Sequence, residues 1–238
     1  MYLVVAYYTV DNIYSRCAKK FIKSAQQFNI PYLITPIEHQ GNWVKNTQYK
    51  ATFLKQQLET LKATSLIYVD IDAEFHEDPG LFKLLDESPD VLIGAHNLDH
   101  SKFGRGNKHE LLSGTLYLKN CKETYDLVVE WEAECKQDPT IWDQKALEKV
   151  LTKKKINYHN LPEEYCTIFD YMKSVVNPVI VHYQASREVK NNEAARTTLG
   201  ELETEVKEKP KVRHPVVPAP IQVHKGGIIR YHRKWRNS

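Results

Sequence analysis

Over the first 75 residues, three unbroken apolar runs alternate with two stretches of helical spacing. Residues 2–9 (YLVVAYYT) are apolar or aromatic up to the closing threonine, the pattern of a strand covered on both faces. Asp11 stands where a helix would be capped, and Ile13, Cys17, Phe21 and Ala25 recur at helical intervals as far as about Phe28. Pro31 precedes a second strand over residues 32–36. Gly41 and Asn42 then break the chain before a helix over 44–61 that carries Tyr49, Phe53, Leu54 and Leu58 along one side. SLIYVDIDAEF, residues 65–75, reads as a third buried strand with two aspartates toward its end. This alternation predicts an α/β fold, a mainly parallel sheet with helices on both faces.

The rhythm loosens beyond residue 76. DPGLFKLL predicts a short helix with proline at its start, and DVLIGAH and LLSGTLYLK predict two more strands. The polar stretch 97–110 between them contains two glycines and predicts a mobile loop; the histidines that flank the glycines, His96, His100 and His109, follow no metal-binding spacing. Helices are expected over 122–136 and 141–151, and short strands near 156–159 and 179–182. From about residue 190 the periodicity fades, and Pro210, Pro215, Pro218 and Pro220 mark an extended segment. Two units are expected: a domain over 1–190 and a basic extension over 191–238.

Composition changes this picture in three places. No apolar run approaches the roughly 20 residues that span a bilayer, and the first strand has no basic leader, so a cytoplasmic protein is expected. The cysteines at 17, 121, 135 and 166 form no CxxC pair, as expected of thiols in a reducing compartment. The net charge of +3 is unevenly spread: from Arg196 onward ten basic residues face four acidic ones, which leaves the tail at +6 and the body at −3. Tyr231 and Trp235 interleave with the tail's cations, which suits a nucleic acid or another polyanion; a solvated extension is the plain alternative.

Asp70 and Asp72 are the foremost candidates for chemistry. At positions i and i+2 of a strand they would share a face, and a parallel strand's carboxyl end opens into the crevice where such sheets bind ligands. Two adjacent carboxylates repel unless a cation lies between them, and hard oxygen ligands suit Mg²⁺ or Mn²⁺. The same spacing occurs in phosphatases of the haloacid-dehalogenase type. Those place it on the first strand with Thr or Val two residues on, whereas here two strand–helix units precede it and the later position is Glu74.

The segment YVDIDAEFHEDP resembles the metal-binding segment of the GT-A nucleotide-diphospho-sugar transferases, and further motifs follow in matching order. The strand Val5–Ala6–Tyr7–Tyr8–Thr9 resembles the uridine-side strand. Asn42-Trp43 with Lys50 resembles the segment whose basic residue approaches the donor. Leu112-Ser113-Gly114-Thr115-Leu116-Tyr117 resembles the strand facing the acceptor, Trp142-Asp143-Gln144 the Asp-Gln pair at a helix start, and His182 with Gln184-Ala185-Ser186-Arg187 the closing histidine segment. The resemblance covers residues 2–190. It implies a GT-A fold and a metal held by Asp70, Asp72 and His182; the imidazole favours Mn²⁺ over Mg²⁺. It further implies a nucleoside diphosphate sugar, UDP first, contacted by Ala6, Tyr7, Tyr8, Thr9, Lys50, Ile71, Ser113, Gly114, Ser186, Arg187 and Lys190. Tyr7 and Tyr8 have two readings, stacking on the base or packing in the core. Asp143 and Gln144 would act on the sugar or acceptor, with Asp143 either a general base or an acid at a helix N-terminus. A hydroxylated DNA base would suit the basic tail as acceptor. The rival reading is a non-catalytic domain of this fold that binds polyanions.

Overall fold

A computed structural model describes residues 1–156 and 158–188. The main sheet has six strands in the order β2 (Tyr32–Ile37), β1 (Tyr2–Thr9), β3 (Ser65–Val69), β6 (His109–Lys119), β5 (Ile93–Asp99), β7 (His159–Asn160). The pairs β2–β1, β1–β3 and β5–β7 are parallel, while β6 runs antiparallel to both its neighbours. Helices α2 (Trp43–Thr60), α4 (Lys122–Gln137) and α5 (Asp143–Lys154) cover one face, and α1 (Asn12–Gln27) and α3 (Leu81–Glu87) the other. Residues of β1 alternate strictly between the two cores: Val5 and Tyr7 join one, Val4 and Ala6 the other. That is the physical reason the run is apolar throughout. Among the described residues no helix is long and apolar enough to cross a membrane.

The expected strand over residues 65–75 is in fact two. β3 ends at Val69, the chain turns at Asp70–Asp72, and β4 (Ala73–Phe75) enters a second sheet of order β4, β9 (Ile180–His182), β8 (Thr167–Ile168). The turn is closed by the Ala73 amide donating to the Asp70 carbonyl at 3.0 Å. The loop expected over 97–110 is also shorter. β5 and β6 extend into it, and a 3-10 turn over His100–Phe103 fills part of the remainder. His100 ties that turn down through Tyr171 at 2.5 Å and Glu110 at 3.1 Å. On α1, Ile13 and Cys17 are only half-buried while Ala18 and Ser24 go inside, so the buried stripe lies slightly round the helix from its expected position.

Helices α2 and α4 are joined by a buried carboxylate. Glu132 accepts from Lys55 at 2.5 Å, from Thr52 at 2.8 Å and from Lys136 at 3.1 Å. Burial pushes its carboxyl up, but these partners outweigh burial and hold it at about 2, against an ordinary value of 4.5. A depressed carboxyl stabilises the fold above its unfolded value and loses that contribution as pH falls toward its folded value. Glu132→Gln is therefore expected to destabilise the protein by about 1–2 kcal/mol at pH 7, the lysines being partly screened by solvent. Urea melts should show the gap shrinking to less than half at pH 3; a gap that ignores pH would refute the assignment.

Candidate active site

The carboxyl ends of β1 and β3 open into a cleft of about 250 Å³. Its wall includes Tyr7, Tyr8 and Thr9 from β1, Lys50 from α2, Asp70, Ile71 and Asp72 from the turn after β3, Ser113 from β6, Asp143 and Gln144 from α5, and Ser186. Six segments distant in sequence thus meet as the motif order implies.

Lys50 is the hub. It lies on the apolar face of α2 with Phe53 and Leu54 and is 3% exposed. Its ammonium reaches Asp143 at 2.7 Å, Asp70 at 3.2 Å and the Ser113 carbonyl at 3.1 Å, and sits 4.8 Å from the centre of the Tyr68 ring. Burial alone would push it down, yet Asp143 and Asp70 outweigh burial and raise it, so it remains a cation. Ser113 donates its hydroxyl to the same Asp143 oxygen at 2.7 Å, and Tyr68 donates to Asp70 at 2.8 Å.

Asp70, Asp72 and Asp143 against Lys50 leave a formal excess of two negative charges in the cleft wall. Asp72 registers the strain: burial and the neighbouring Asp70 charge raise its carboxyl to about 6, in spite of the Ala185 amide donating to it at 2.8 Å. His182 completes the group, with one ligand atom from each of Asp70, Asp72 and His182 lying within 4.8 Å of the others. Its place follows from β9 pairing with β4, which sets His182 opposite Ala73. Burial pushes the imidazole down to about 4 against the pull of Asp70, which leaves it neutral at neutral pH, the form a metal requires. Nε2 is engaged by the Thr115 hydroxyl at 2.9 Å, so Nδ1 is the nitrogen left for a ligand.

Gly114 lies against these side chains. A methyl group there would stand 3.0 Å from His182 Cε1, 3.2 Å from Nδ1 and 3.2 Å from Asp70 Oδ2. The glycine is required by close approach. Gly114→Ala is expected to spread the two side chains and weaken Mn²⁺ binding by about 10–100-fold, the range for loss of a metal site's supporting contacts. Calorimetric titration with Mn²⁺ measures this; an unchanged affinity would show that the two side chains do not share an ion.

Some of the expected site residues stand apart from the cleft wall or only touch it. Ala6 is fully buried within β1. Tyr7 touches the wall but packs mainly as a core aromatic among Tyr49, Phe53 and Tyr68, its hydroxyl donating to the Asn46 carbonyl at 2.7 Å, which leaves Tyr8 as the more open ring. The structure does not bring Arg187 into the cleft: its guanidinium pairs with Asp170, because the turn after β9 directs it toward that loop. Lys190 and the whole tail lie outside the described residues. Conversely Tyr14, Asn46 and Thr47 line the cleft and Tyr68 supports the site without having been singled out; Trp43, Trp142 and Gln184, named only within longer motifs, line it as well, and Thr115, named in the same way, supports it. For Tyr68 a signal existed: it precedes Asp70 by two residues, and alternate strand positions share a face.

The sequence profile of the nucleotide-diphospho-sugar transferases matches residues 16–194. No curated protein gives a significant match. Among solved structures, a glycosyltransferase involved in the glycosylation of the major capsid of PBCV-1 aligns with a TM-score of 0.63 at 10% identity, covering 82% of this chain and 98% of that one. The apo-form glycosyltransferase GlyE of Streptococcus pneumoniae TIGR4 aligns with a TM-score of 0.53 at 16% identity, over 76% of this chain and 54% of that one. At such identities the likeness is one of fold.

Proposed function

The chain belongs to the nucleotide-diphospho-sugar transferase family and is a glycosyltransferase, and from that premise we propose that it moves a sugar from a UDP-sugar to a hydroxyl acceptor with the help of a divalent metal held by Asp70, Asp72 and His182. The observation that carries this reading is the convergence of these three ligands at a cleft wall whose formal excess of two negative charges a divalent cation would cancel. One neutral imidazole with two carboxylates favours Mn²⁺ over Mg²⁺. When bound, the ion supplies neutralisation of the charge that develops on the departing diphosphate.

The chain's own residues prepare the rest. Lys50 holds Asp70 and Asp143 in fixed positions, and the Tyr68 hydroxyl orients Asp70. Tyr8 and Thr9 offer an aromatic face and a hydroxyl at the β1 end, suited to the nucleoside. Ser186, just past the Ala185 amide that binds Asp72, offers a hydroxyl on the diphosphate side. Gln144 is oriented by accepting from the Ser113 amide at 3.3 Å and donating to Glu110 at 2.8 Å, which presents its amide to sugar hydroxyls. One Asp143 oxygen is already committed to Lys50 and Ser113, which favours a positioning role over service as a general base. We assign the transferase to residues 1–190 and treat 191–238 as an extension, a division supported by a family match that reaches residue 194.

Nucleoside diphosphate release tests this reading. UDP-, ADP- and GDP-sugars are incubated with the full chain in Mn²⁺ or EDTA, and the freed diphosphate is measured. Release from a UDP-sugar in Mn²⁺ but not in EDTA is expected. Release indifferent to EDTA would remove the metal from the account, and binding to polyanions without any release would favour a non-catalytic module.

A further inference from the structure

The side-chain amide of Gln144 has one end that donates and one that accepts, and the torsion between them and the chain is soft. Two partners decide which end goes where. The Ser113 N–H can only donate and meets Oε1 at 3.3 Å; the Glu110 carboxylate can only accept and meets Nε2 at 2.8 Å. The first lies beyond the usual N–H···O range of about 2.7–3.2 Å and the second well inside it, so Glu110 carries the orientation. Glu110 is in turn held from its far side. Its other oxygen meets His100 Nε2 at 3.1 Å, and His100 Nδ1 meets the Tyr171 hydroxyl at 2.5 Å. Because a carboxylate only accepts, the hydrogen on Nε2 is fixed toward Glu110. Lys108 stands farther off, at 3.8 Å.

The outer end of this line is anchored by backbone. The His100 amide donates to the Lys108 carbonyl at 3.0 Å, its carbonyl accepts from the Arg105 amide at 3.0 Å, and Asp99 caps the turn by accepting from the Ser101 amide at 2.9 Å. The Tyr171 ring packs against His100 and Phe103, with the Arg105 guanidinium 4.9 Å from its centre. The Tyr171 amide donates to the Ile168 carbonyl at 3.1 Å, and Ile168 stands opposite His182 where β8 pairs with β9. The small sheet that carries His182 thus also holds the far end of a line that finishes at Gln144. Pinning the 3-10 turn needs only the Glu110 oxygen that faces His100; the other oxygen goes to a cleft residue, although Glu110, His100 and Tyr171 are not among the described residues lining the cleft. We infer that Glu110, His100 and Tyr171 are positioning residues that act on the reaction through Gln144, fixing which end of its amide faces the sugar. The inference rests on the transferase reading above and adds to it three residues behind the cleft wall.

Two readouts on the full chain separate this from a role in folding alone. In NMR spectra of ¹⁵N-labelled protein, the Gln144 side-chain NH₂ pair is identified by its loss in Gln144→Ala. Glu110→Gln keeps the shape but can donate as well as accept, and it is expected to move that pair toward the shifts and fast hydrogen exchange of a free glutamine. His100→Phe, which keeps a ring against Tyr171, should do so to a smaller extent. The second readout is diphosphate release from a UDP-sugar in Mn²⁺. A reacting group misplaced by about 1 Å costs about a hundredfold, so kcat of Glu110→Gln is expected to fall by about 10–100-fold while UDP affinity holds. In a Gln144→Ala background the same substitution should change kcat by no more than about twofold, because effects relayed through one residue do not add. An amide pair unmoved by Glu110→Gln, or its full loss of kcat repeated in the Gln144→Ala background, overturns the inference and leaves the transferase reading standing. A lower melting temperature with neither change would make the line a clamp on the turn and overturn it as well. Absence of release from wild type would strike the transferase reading, and the amide spectrum would still decide whether these residues orient Gln144.

Discussion

Asp72→Asn is expected to reduce sugar transfer by at least about a thousandfold, the several kcal/mol of charge stabilisation that a bound metal supplies. The asparagine keeps an oxygen for the Ala185 amide, so the closing segment stays anchored while the ligand charge is gone. The metal-free variant should melt no lower than wild type, because it loses a carboxylate that burial and the Asp70 charge raise to about 6. Diphosphate release and thermal melts in EDTA measure the two effects. Activity within tenfold of wild type would refute the ligand assignment. A large drop in melting temperature would show instead that Asp72 serves the fold.

Lys50→Met is expected to destabilise the protein by about 3–5 kcal/mol, the loss when one partner of a buried ion pair is removed. Asp70 and Asp143 would then face each other with no cation between them, in a site where Lys50 is 3% exposed. For a chain of this size that is roughly a 6–20 °C fall in melting temperature. Adding Asp143→Asn should recover part of the loss, since one stranded charge is removed. A loss below about 1 kcal/mol, the range of exposed pairs, would mean that solvent reaches the cluster.

Most of the main sheet was legible because hydrophobic period and burial coincide. The run 2–9 and the 3.6-residue spacing of residues 44–61 gave β1 and α2 nearly to the residue. The third strand was misread for a definite reason. SLIYV and AEF have the same apolar character on either side of Asp70–Asp72, and composition does not say that a chain changes sheets at the turn between them. The strand β8 is two residues long and has no period to read. Motif order brought the aspartates, Ser113, Asp143 and Gln144 to one cleft, as the structure has them. Arg187 failed to follow because its partner Asp170 lies on a loop that sequence spacing does not place. The burial of Lys50 was readable: it falls three and four residues before Phe53 and Leu54, on the helix's apolar face.

The central claim is that nucleotide binding runs through a metal on Asp70, Asp72 and His182. Melting temperatures with UDP, ADP and GDP, each in Mn²⁺ or EDTA, on wild type and Asp72→Asn test it most directly. A ligand at 100 times its dissociation constant stabilises by about 2.7 kcal/mol, a shift of roughly 5–10 °C here. The account expects that rise with UDP and Mn²⁺ in wild type and its disappearance in EDTA and in the variant. A rise that survives both, or none with any nucleotide, would contradict it.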